Sequence, residues 1–485
     1  MKVLMIYFNT AARASFPLGL TSLVNYIKNE GHHVEIFDTS FYKEFFKYKR
    51  ENVREKFGFY KKIANPIEIK YIESTIKKDL KHKIDNFKPD IIGLSILSAH
   101  FMFSLTISKF IKEHFSSIPI IVGGLHPTIK PEETIKEVSI DMICIGEGEY
   151  PFSYLLEKMD RGKSITNIKG IWVKQGKKIF RNELGLLTDP SDFPKTNWDL
   201  FSPQHIYAPL DGRIYRMGSV EFSRGCPYSC SYCSINYLRD AYRPQKYLRR
   251  KSVEKSIEEL IYLKNKYNIE MFYFLDETFL SNDIKSLIIF AEEYKRQVAI
   301  PFHGLTHPLS VNEQKVKLLK EMGCYLMTIG IECGNENFRK KYLNRNVPTQ
   351  KIIEAFKLFH KYDIFPSGFG MIGLPYETRD LVYETIELFR TCQPRTCSIS
   401  IYQPFPGGRL RDICIKEGFF DPSEDNYIYP AQESILKMPQ FSKEDINSLY
   451  RSFILYTKVP KNKFPLVQKA EKDDILFENL VRQYV

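Results

Sequence analysis

The chain has 485 residues, of which 43% are hydrophobic and 14% aromatic, and its formal net charge is +12. This length predicts two or three domains with hydrophobic cores. No run of about eighteen uncharged apolar residues occurs, so no membrane-spanning helix is predicted, and the short N-terminal apolar run indicates a buried strand rather than a signal peptide. Six scattered cysteines suggest no disulfide framework, which favours a cytoplasmic protein.

Residues 1–160 alternate between apolar runs and amphipathic stretches. Residues 2–8 form a continuous apolar run, as is typical of a parallel strand buried on both faces. Residues 18–29 have helical spacing and end before Gly31. Further strands are predicted in the segments "HHVEIFD", "IIGLSI", "PIIVGG" and "DMICIGEGE". The alternation predicts an α/β domain with a doubly wound, Rossmann-like parallel sheet.

A basic and aromatic segment, residues 43–83, interrupts this domain. It contains 13 Lys or Arg against 6 Asp or Glu, together with seven Phe or Tyr. Such a segment could contact an anionic membrane surface or nucleic acid, or it could be a solvated helical insertion. No RNA-binding signature accompanies it, so nucleic acid is not an expected partner, whereas peripheral membrane contact through this segment stays open.

The remainder of the chain divides into three parts. Residues 161–217 are predicted to be a linker that contains a hairpin with Gly176 in its turn. Residues 218–415 contain six strand–helix repeats, which predict a partial (β/α)6 barrel with its chemistry at the carboxyl ends of the strands. Helices are expected to start near Ser252, Asn282, Asn312, Thr349 and Thr378. Residues 416–485 are predicted to be a small C-terminal extension.

Three cysteines follow the first barrel strand in the segment "EFSRGCPYSCSYCSINY". Cys226, Cys230 and Cys233 form a CxxxCxxC pattern, which can hold three irons of a [4Fe-4S] cube and leave the fourth iron open. A structural zinc site is the alternative, but it normally needs four ligands, and neither a second CxxC nor a finger-spaced histidine occurs. The pattern therefore predicts an iron–sulfur cluster.

The cysteine spacing, with Tyr232 just before the third cysteine, resembles the signature of radical S-adenosylmethionine (radical SAM) enzymes. The resemblance implies that the open iron binds the methionine part of S-adenosylmethionine, and that one electron then releases a 5′-deoxyadenosyl radical. It also implies that Tyr232 lies beside the adenine.

The same resemblance implies further S-adenosylmethionine contacts at the ends of the barrel strands. Asp276 or Glu277 would accept hydrogen bonds from the methionine ammonium, and Glu332 would bind the ribose hydroxyls. The backbone of the segment "GMIGLPYET" would meet the adenine, through Gly370, Ile372 and Gly373. No catalytic acid or base is assigned, because core or loop roles are favoured for each of the three candidates, His303, His307 and Tyr402.

The first domain resembles the cobalamin-binding domain that precedes the barrel in one large radical SAM class, which includes the class B methyltransferases. The resemblance rests on Ser95 and Leu97, on a Gly123-Gly124 pair after 25 intervening residues, and on the segments "GGLHPTIKPEET" and "IGEGE". It implies that the nucleotide tail of cobalamin passes close to the glycine backbones. The implied cobalamin contacts are Ser95, Leu97, Gly123, Gly124, His126, Gly146, Glu147 and Gly148.

One departure from the cobalamin-binding pattern concerns the loop after the first strand. Classical cobalamin domains have a histidine there that ligates cobalt, whereas the loop "NTAARASFPLG" has none. The resemblance then implies a cobalt without protein histidine on its lower face. Arg13 stands in the right loop to approach that face, and His126 is the nearby alternative. A degenerate domain without corrin is the other possibility.

Taken with its family resemblance, the sequence predicts a cobalamin-dependent radical SAM enzyme that methylates an unactivated carbon or a phosphinate phosphorus. The substrate would be a small or lipid-like molecule, and a flavodoxin or ferredoxin would supply electrons. Two alternatives are radical oxidation, cyclisation or ring contraction without methyl transfer, and a non-catalytic iron–sulfur or corrin-binding sensor. Carboxylates at the strand ends of an intact barrel argue against the sensor.

Overall fold

The computed structural model describes residues 1–9, 16–44, 55–59, 61–424 and 433–485. Two seven-stranded sheets follow one another along the chain, and helices after the second sheet complete the described fold. The predicted fold class is confirmed. Among the described residues, no helix is both long enough and apolar enough to cross a membrane.

The first sheet has the strand order β2-β1-β3-β4-β5-β6-β7, and its first five strands are parallel. The hairpin predicted within the linker is present, and it extends this sheet as two antiparallel strands. The strands are β1 Lys2–Tyr7, β2 His33–Asp38, β3 Ile91–Ser95, β4 Ile120–Gly123, β5 Met142–Cys144, β6 Ile171–Gln175 and β7 Lys178–Phe180.

Helices cover both faces of the first sheet. Alternate residues of β1 supply two separate cores, because Val3 and Met5 face one side while Leu4 and Ile6 face the other. This explains why the strand has an uninterrupted apolar sequence. The helices of this part are α1 Leu18–Asn29, α2 Ile76–Phe87, α3 Phe101–His114, α4 Leu125–Ile129, α5 Pro131–Lys136 and α6 Glu149–Asp160.

The second sheet is the partial barrel, with the order β16-β15-β14-β13-β12-β9-β8. Its six predicted strands run parallel, and β8 adds an antiparallel edge next to β9. The strands are β8 Tyr207–Leu210, β9 Arg213–Val220, β12 Met271–Phe274, β13 Phe302–Thr306, β14 Cys324–Glu332, β15 Phe365–Ile372 and β16 Thr396–Ile401; β10 Ser223–Arg224 and β11 Arg249–Arg250 form a small separate pair.

Several barrel helices begin at side chains that cap them. Ser252, Asn312 and Thr378 each accept a hydrogen bond from the backbone N–H three residues later. The helix expected to start near Asn282 is instead capped by Asp283, in the same way. The helices are α7 Ile235–Ala241, α8 Val253–Tyr267, α9 Ile284–Glu293, α10 Glu313–Glu321, α11 Glu336–Lys341, α12 Thr349–Lys361, α13 Arg379–Cys392 and α14 Arg409–Lys416.

The C-terminal part packs against the barrel through α15 Lys443–Lys458, which contacts α13 and β16, and through the first residue of α16 Phe464–Ala470; α17 Asp474–Tyr484 packs on α15 and α16. Two aromatic residues of the basic segment contact these helices: Phe57 lies edge-on to Tyr450 and Phe477, and Phe59 stacks on Tyr450 at 5.2 Å. Part of the predicted basic segment, 45–54 and residue 60, lies outside the described residues.

Candidate functional site

The three cluster cysteines lie on a loop between β10 and α7, at the carboxyl end of the first barrel strand. Neighbouring segments hold this loop through its backbone. Ser231 donates its N–H to the carbonyl of Leu343 at 2.9 Å, and the side chain of Asn236 donates to the carbonyl of Cys230 at 2.6 Å. The loop is therefore positioned by contacts that do not use the thiols.

Cys226, Cys230 and Cys233 line one pocket of about 230 Å³. Within the described part of the chain, no three His, Cys, Asp or Glu side chains are arranged to hold a single metal ion. A [4Fe-4S] cube makes a different demand, because each cysteine binds its own iron. Burial raises the pKa of Cys226 and Cys233 to about 11, so iron must displace protons from both thiols. The donor set fits a cube.

Charged side chains in the same pocket surround the thiols. Arg345 is buried, and its guanidinium lies 3.5 Å from the Sγ of Cys230 and donates to the carbonyl of Gly330 at 2.6 Å. Glu277 and Glu332 line the pocket as well. Burial raises the pKa of Glu277 to about 7 and also raises that of Glu332, against the opposing effect of Arg345.

Glu332 ends β14 in a conformation that L-residues rarely adopt, with φ +67°. The pairing of β14 with β15 shifts register at this point, between Gly330 and Glu332. Non-glycine residues in this region of backbone space cost on the order of 1–3 kcal/mol and cluster at binding sites. The strain accompanies a carboxylate that lines the pocket.

The predicted S-adenosylmethionine residues divide into two groups. Tyr232, Glu277 and Glu332 line the cluster pocket, whereas Asp276 does not. Asp276 is fully buried, and its carboxylate accepts hydrogen bonds from the N–H of Phe222 and the hydroxyl of Ser223. Of the two acids between which the sequence left the choice open, only Glu277 therefore faces the pocket.

The predicted adenine segment begins directly after a residue of the cluster pocket wall. Phe369 lines the cluster pocket, but Gly370, Ile372 and Gly373 do not. Gly373 donates its N–H to the carboxylate of Glu377 at 2.6 Å, and burial raises the pKa of Glu377 to about 8. That acid holds the loop after β15.

Several pocket residues were missed by the sequence reasoning. Tyr228, between the first two cysteines, stacks on His307 with ring centroids 3.6 Å apart. The sequence indicates His307 only as one possible acid–base group. Thr328 and Phe369 lie in the middle of β14 and β15, so the rule that chemistry lies at strand ends would not have indicated them. Arg345 lies in a loop between helices, where no motif marks it.

A second cavity, of about 670 Å³, lies between the first sheet and the barrel. Seven of the predicted cobalamin contacts line it: Ser95, Leu97, Gly123, Gly124, Gly146, Glu147 and Gly148. The barrel supplies the opposite wall, which the sequence did not predict: Glu221, Arg224, Ile235, Leu238, Tyr242, Tyr247 and Glu277. The cavity is therefore formed by both domains.

Gly124 and Gly146 are required by packing. Gly124 has φ +105°, and a Cβ there would lie 2.5 Å from the carbonyl oxygen of Ile96. Gly146 has φ +81°, and a Cβ there would overlap the hydroxyl of Tyr242. Each glycine permits a close approach of two protein segments at the cavity wall. Packing within the protein is thus sufficient to explain these glycines, whereas the sequence suggested the passage of the nucleotide tail as the explanation.

The "IGEGE" loop joins the two domains. The N–H of Glu147 donates to the Tyr242 hydroxyl at 2.8 Å, and the Glu147 carboxylate forms a bidentate pair with Arg249. Arg224 donates to the carboxylate of Glu149 at 2.8 Å. Glu147 lines the cavity, but its carboxylate is engaged by the barrel, so it acts there as an interdomain anchor.

Two histidines near this cavity differ in placement. His126 does not line the cavity: its Nδ1 lies 3.1 Å from the hydroxyl of Ser98, and its ring stacks on Phe101. His100, which the sequence did not single out, is on the cavity wall, and burial lowers its pKa to about 4. Arg13 lies outside the described residues.

The two cavities adjoin at shared residues. Glu277 and Ile235 line both the cluster pocket and the interdomain cavity. A molecule bound between these two residues would touch the contents of both spaces. This is the geometry that a reaction between two cofactors and one substrate needs.

Family models match both parts of the chain. The radical SAM superfamily model matches residues 220–389, and the B12 binding domain model matches residues 5–156. The chain is a member of the radical SAM superfamily with an N-terminal cobalamin-binding domain. Its cofactors are a [4Fe-4S] cluster, S-adenosylmethionine and cobalamin, and such an enzyme acts on a small-molecule substrate and needs an electron donor.

Similar proteins include two methyltransferases. An uncharacterized methyltransferase of Pyrococcus horikoshii is 29% identical over 91% of this chain and 88% of its own length. Cytidylyl-2-hydroxyethylphosphonate methyltransferase of Streptomyces wedmorensis is 24% identical over 91% of this chain and 86% of its own length. The solved structure of the radical SAM methyltransferase TsrM from Kitasatospora setae shares the fold, with a TM-score of 0.67 at 13% identity over 99% of this chain and 98% of that one.

Proposed function

We propose that this enzyme transfers a methyl group to an unactivated carbon, or to a phosphinate phosphorus, of a small or lipid-like substrate. The observation that carries the proposal is the shared wall of the two cavities at Glu277 and Ile235. When bound, the cluster and S-adenosylmethionine supply a hydrogen-abstracting radical, and cobalamin supplies the methyl group. The protein's own contribution is to position these groups and exclude water.

The charges of the cluster pocket match those of S-adenosylmethionine. The cofactor's methionine part has a carboxylate and an ammonium, and the pocket wall contains one buried guanidinium, that of Arg345, with the acids Glu277 and Glu332. We assign Arg345 to the carboxylate, Glu277 to the ammonium and Glu332 to the ribose hydroxyls, because each pairing neutralises a charge or satisfies a donor away from water. Tyr232 is assigned to the adenine.

The adenine contacts of Gly370, Ile372 and Gly373 stay predictions that bound S-adenosylmethionine must test. For cobalamin, Ser95, Leu97, Gly123, Gly124, Gly146 and Gly148 would contact the cofactor from the first domain. Tyr242 and Tyr247 would close it in from the barrel. Both tyrosines lie on the opposite wall of the same cavity, which supports an assignment of that space to one large planar ligand.

The substrate is expected to contact the apolar part of the cluster pocket. Leu305 and Phe369 line this pocket, and Phe369 is 37% exposed. A partly exposed aromatic side chain in the wall of a binding pocket favours a ligand with apolar parts. A cytoplasmic location, a flavodoxin or ferredoxin as donor and membrane contact through residues 43–83 remain part of the proposal.

The test is a product analysis of the enzyme after reconstitution with iron, sulfide and hydroxocobalamin. With S-adenosylmethionine, a reductant and substrate candidates, the proposal expects both 5′-deoxyadenosine and S-adenosylhomocysteine. Deoxyadenosine without S-adenosylhomocysteine would favour oxidation, cyclisation or ring contraction. Neither product from a protein with its full cofactor content would favour the sensor.

A further inference from the structure

We propose that the C-terminal end of α11, where Lys340 and Lys341 lie, is the docking point for an acidic protein that delivers electrons to the cluster. This inference rests on the proposed function, because reductive cleavage of S-adenosylmethionine consumes an electron. The transfer moves one electron from the reduced carrier to the oxidised cluster, and no bond forms or breaks in that step.

The segment after α11 lies against the cluster loop. Ser231 of that loop donates its hydroxyl to the carbonyl of Tyr342 at 2.6 Å and its N–H to the carbonyl of Leu343 at 2.9 Å. Asn344, which is exposed, donates its side-chain amide to the carbonyl of Ser229 at 2.8 Å. The segment that follows the two lysines, residues 342–344, thus packs against the cluster loop.

The same segment ends at a cluster ligand. Arg345 lies four residues beyond Lys341, and its guanidinium is 3.5 Å from the Sγ of Cys230. A continuous route of covalent bonds and close contacts therefore leads from an exposed basic surface to a thiol of the cluster pocket. A carrier that docks on the lysines would place its own redox group over this route.

The positive charge of the two lysines is only partly offset by neighbouring acids. Residues 336–346 contain four Lys or Arg and one acid, Glu336; Arg339 and Arg345 are buried, so Lys340 and Lys341 supply the exposed charge. Within the described residues, neither Lys340 nor Lys341 has a carboxylate within 4 Å, and Lys341 extends over the ring of Tyr342. Glu336 lies one helical turn before Lys340 and offsets part of its charge, but its carboxylate also accepts the N–H of Thr349 at 2.6 Å and lies 4.0 Å from the guanidinium of the buried Arg339.

The charge defines the kind of partner. Two exposed ammonium groups beside a redox centre favour an acidic one-electron carrier, a flavin or iron–sulfur protein, over a neutral one, because complementary charge speeds diffusional encounter. Such steering weakens as salt screens the charges. A small anionic reductant reaches the cluster by diffusion and has no need of the docking surface.

The test compares two electron sources on the fully loaded enzyme. In the double variant Lys340→Glu/Lys341→Glu, the initial rate of deoxyadenosine formation with reduced flavodoxin at low salt should fall about tenfold, while the dithionite-driven rate stays at the wild-type value. Added salt should slow the wild type but not the variant. Calorimetry should show a matching loss of flavodoxin binding.

The control is Lys317→Glu/Lys357→Glu, which makes the same charge change on exposed positions of α10 and α12. An equal loss in this control, or an unchanged flavodoxin rate in the first variant, would overturn the inference. The variant Lys340→Gln/Lys341→Gln should give an intermediate loss. If wild-type enzyme forms no deoxyadenosine even with dithionite, the proposed function fails, and this inference with it.

Discussion

The guanidinium of Arg345 lies 3.5 Å from the Sγ of Cys230, and both residues are buried away from water in the cluster pocket. A fixed positive charge beside a cluster thiolate stabilises the reduced, more negative cluster. Exchange of this arginine for a neutral side chain should therefore make the cluster harder to reduce.

We expect Arg345→Gln to lower the midpoint potential of the cluster by tens of millivolts, and Arg345→Lys to lower it less because the charge is kept. A redox titration followed by electron paramagnetic resonance measures the potential directly, independently of turnover. Equal potentials in the wild type and in Arg345→Gln, at full iron and sulfide content, would show that the guanidinium does not act on the cluster.

The neighbouring acids Asp276 and Glu277 should respond differently to removal of their charge. Glu277→Gln should weaken equilibrium binding of S-adenosylmethionine by about tenfold, since a charge-assisted hydrogen bond contributes roughly 1.5–3 kcal/mol. Asp276→Asn should instead lower the unfolding temperature, because its carboxylate accepts the N–H of Phe222 and the hydroxyl of Ser223. The reverse pattern would show that Asp276 is the residue that contacts the cofactor.

Cobalamin binding can be tested at Gly19, which lines the interdomain cavity. A Cβ at this position meets no atom within 4 Å, and φ does not require glycine. Gly19→Trp should thus reduce retained corrin absorbance after gel filtration while the cluster survives, and Gly19→Ala serves as the control. If Gly19→Trp retains corrin at the wild-type level, the cofactor does not occupy this part of the cavity.

The histidines around that cavity bear on whether a protein nitrogen would bind cobalt. Because the loop after β1 contains no histidine, the cobalt(II) state should show no nitrogen splitting of its axial electron paramagnetic resonance lines. Of the described histidines, His100 alone lines the cavity. A nitrogen triplet that disappears in His100→Ala would make His100 the ligand, whereas a triplet that survives would implicate the cofactor's own base.

Local sequence signals predicted the framework of this protein well. Apolar runs and capping residues such as Ser252 and Thr378 determine the backbone structure within a few residues of their own positions. The strands and most helix starts could therefore be predicted from the sequence. The cluster cysteines could be predicted for the same reason, because their spacing alone brings them onto one loop.

Features that depend on long-range packing could not be predicted. Arg345 reaches Cys230 only through the fold of the barrel, and Tyr242 becomes a cavity wall only when the barrel meets the first domain. The direction in which a side chain points could not be predicted either. Asp276 and Glu277 are neighbours in sequence, yet one turns into the core and the other into the pocket. The need for glycine at position 124 likewise arises from the backbone of Ile96.

In the proposed enzyme, the cluster and cobalamin occupy adjoining cavities that meet at Glu277 and Ile235. Electron paramagnetic resonance of enzyme that holds both a reduced cluster and cobalt(II) tests this arrangement most directly, because two nearby unpaired electrons interact. We predict broadened or split cobalt lines with faster relaxation, and their return to the isolated form in Cys230→Ala, which lacks a cluster ligand. The comparison requires bound corrin in both proteins and a full cluster in the wild type. Identical cobalt spectra of the wild type and Cys230→Ala would then contradict the proposal that the two cofactors are neighbours.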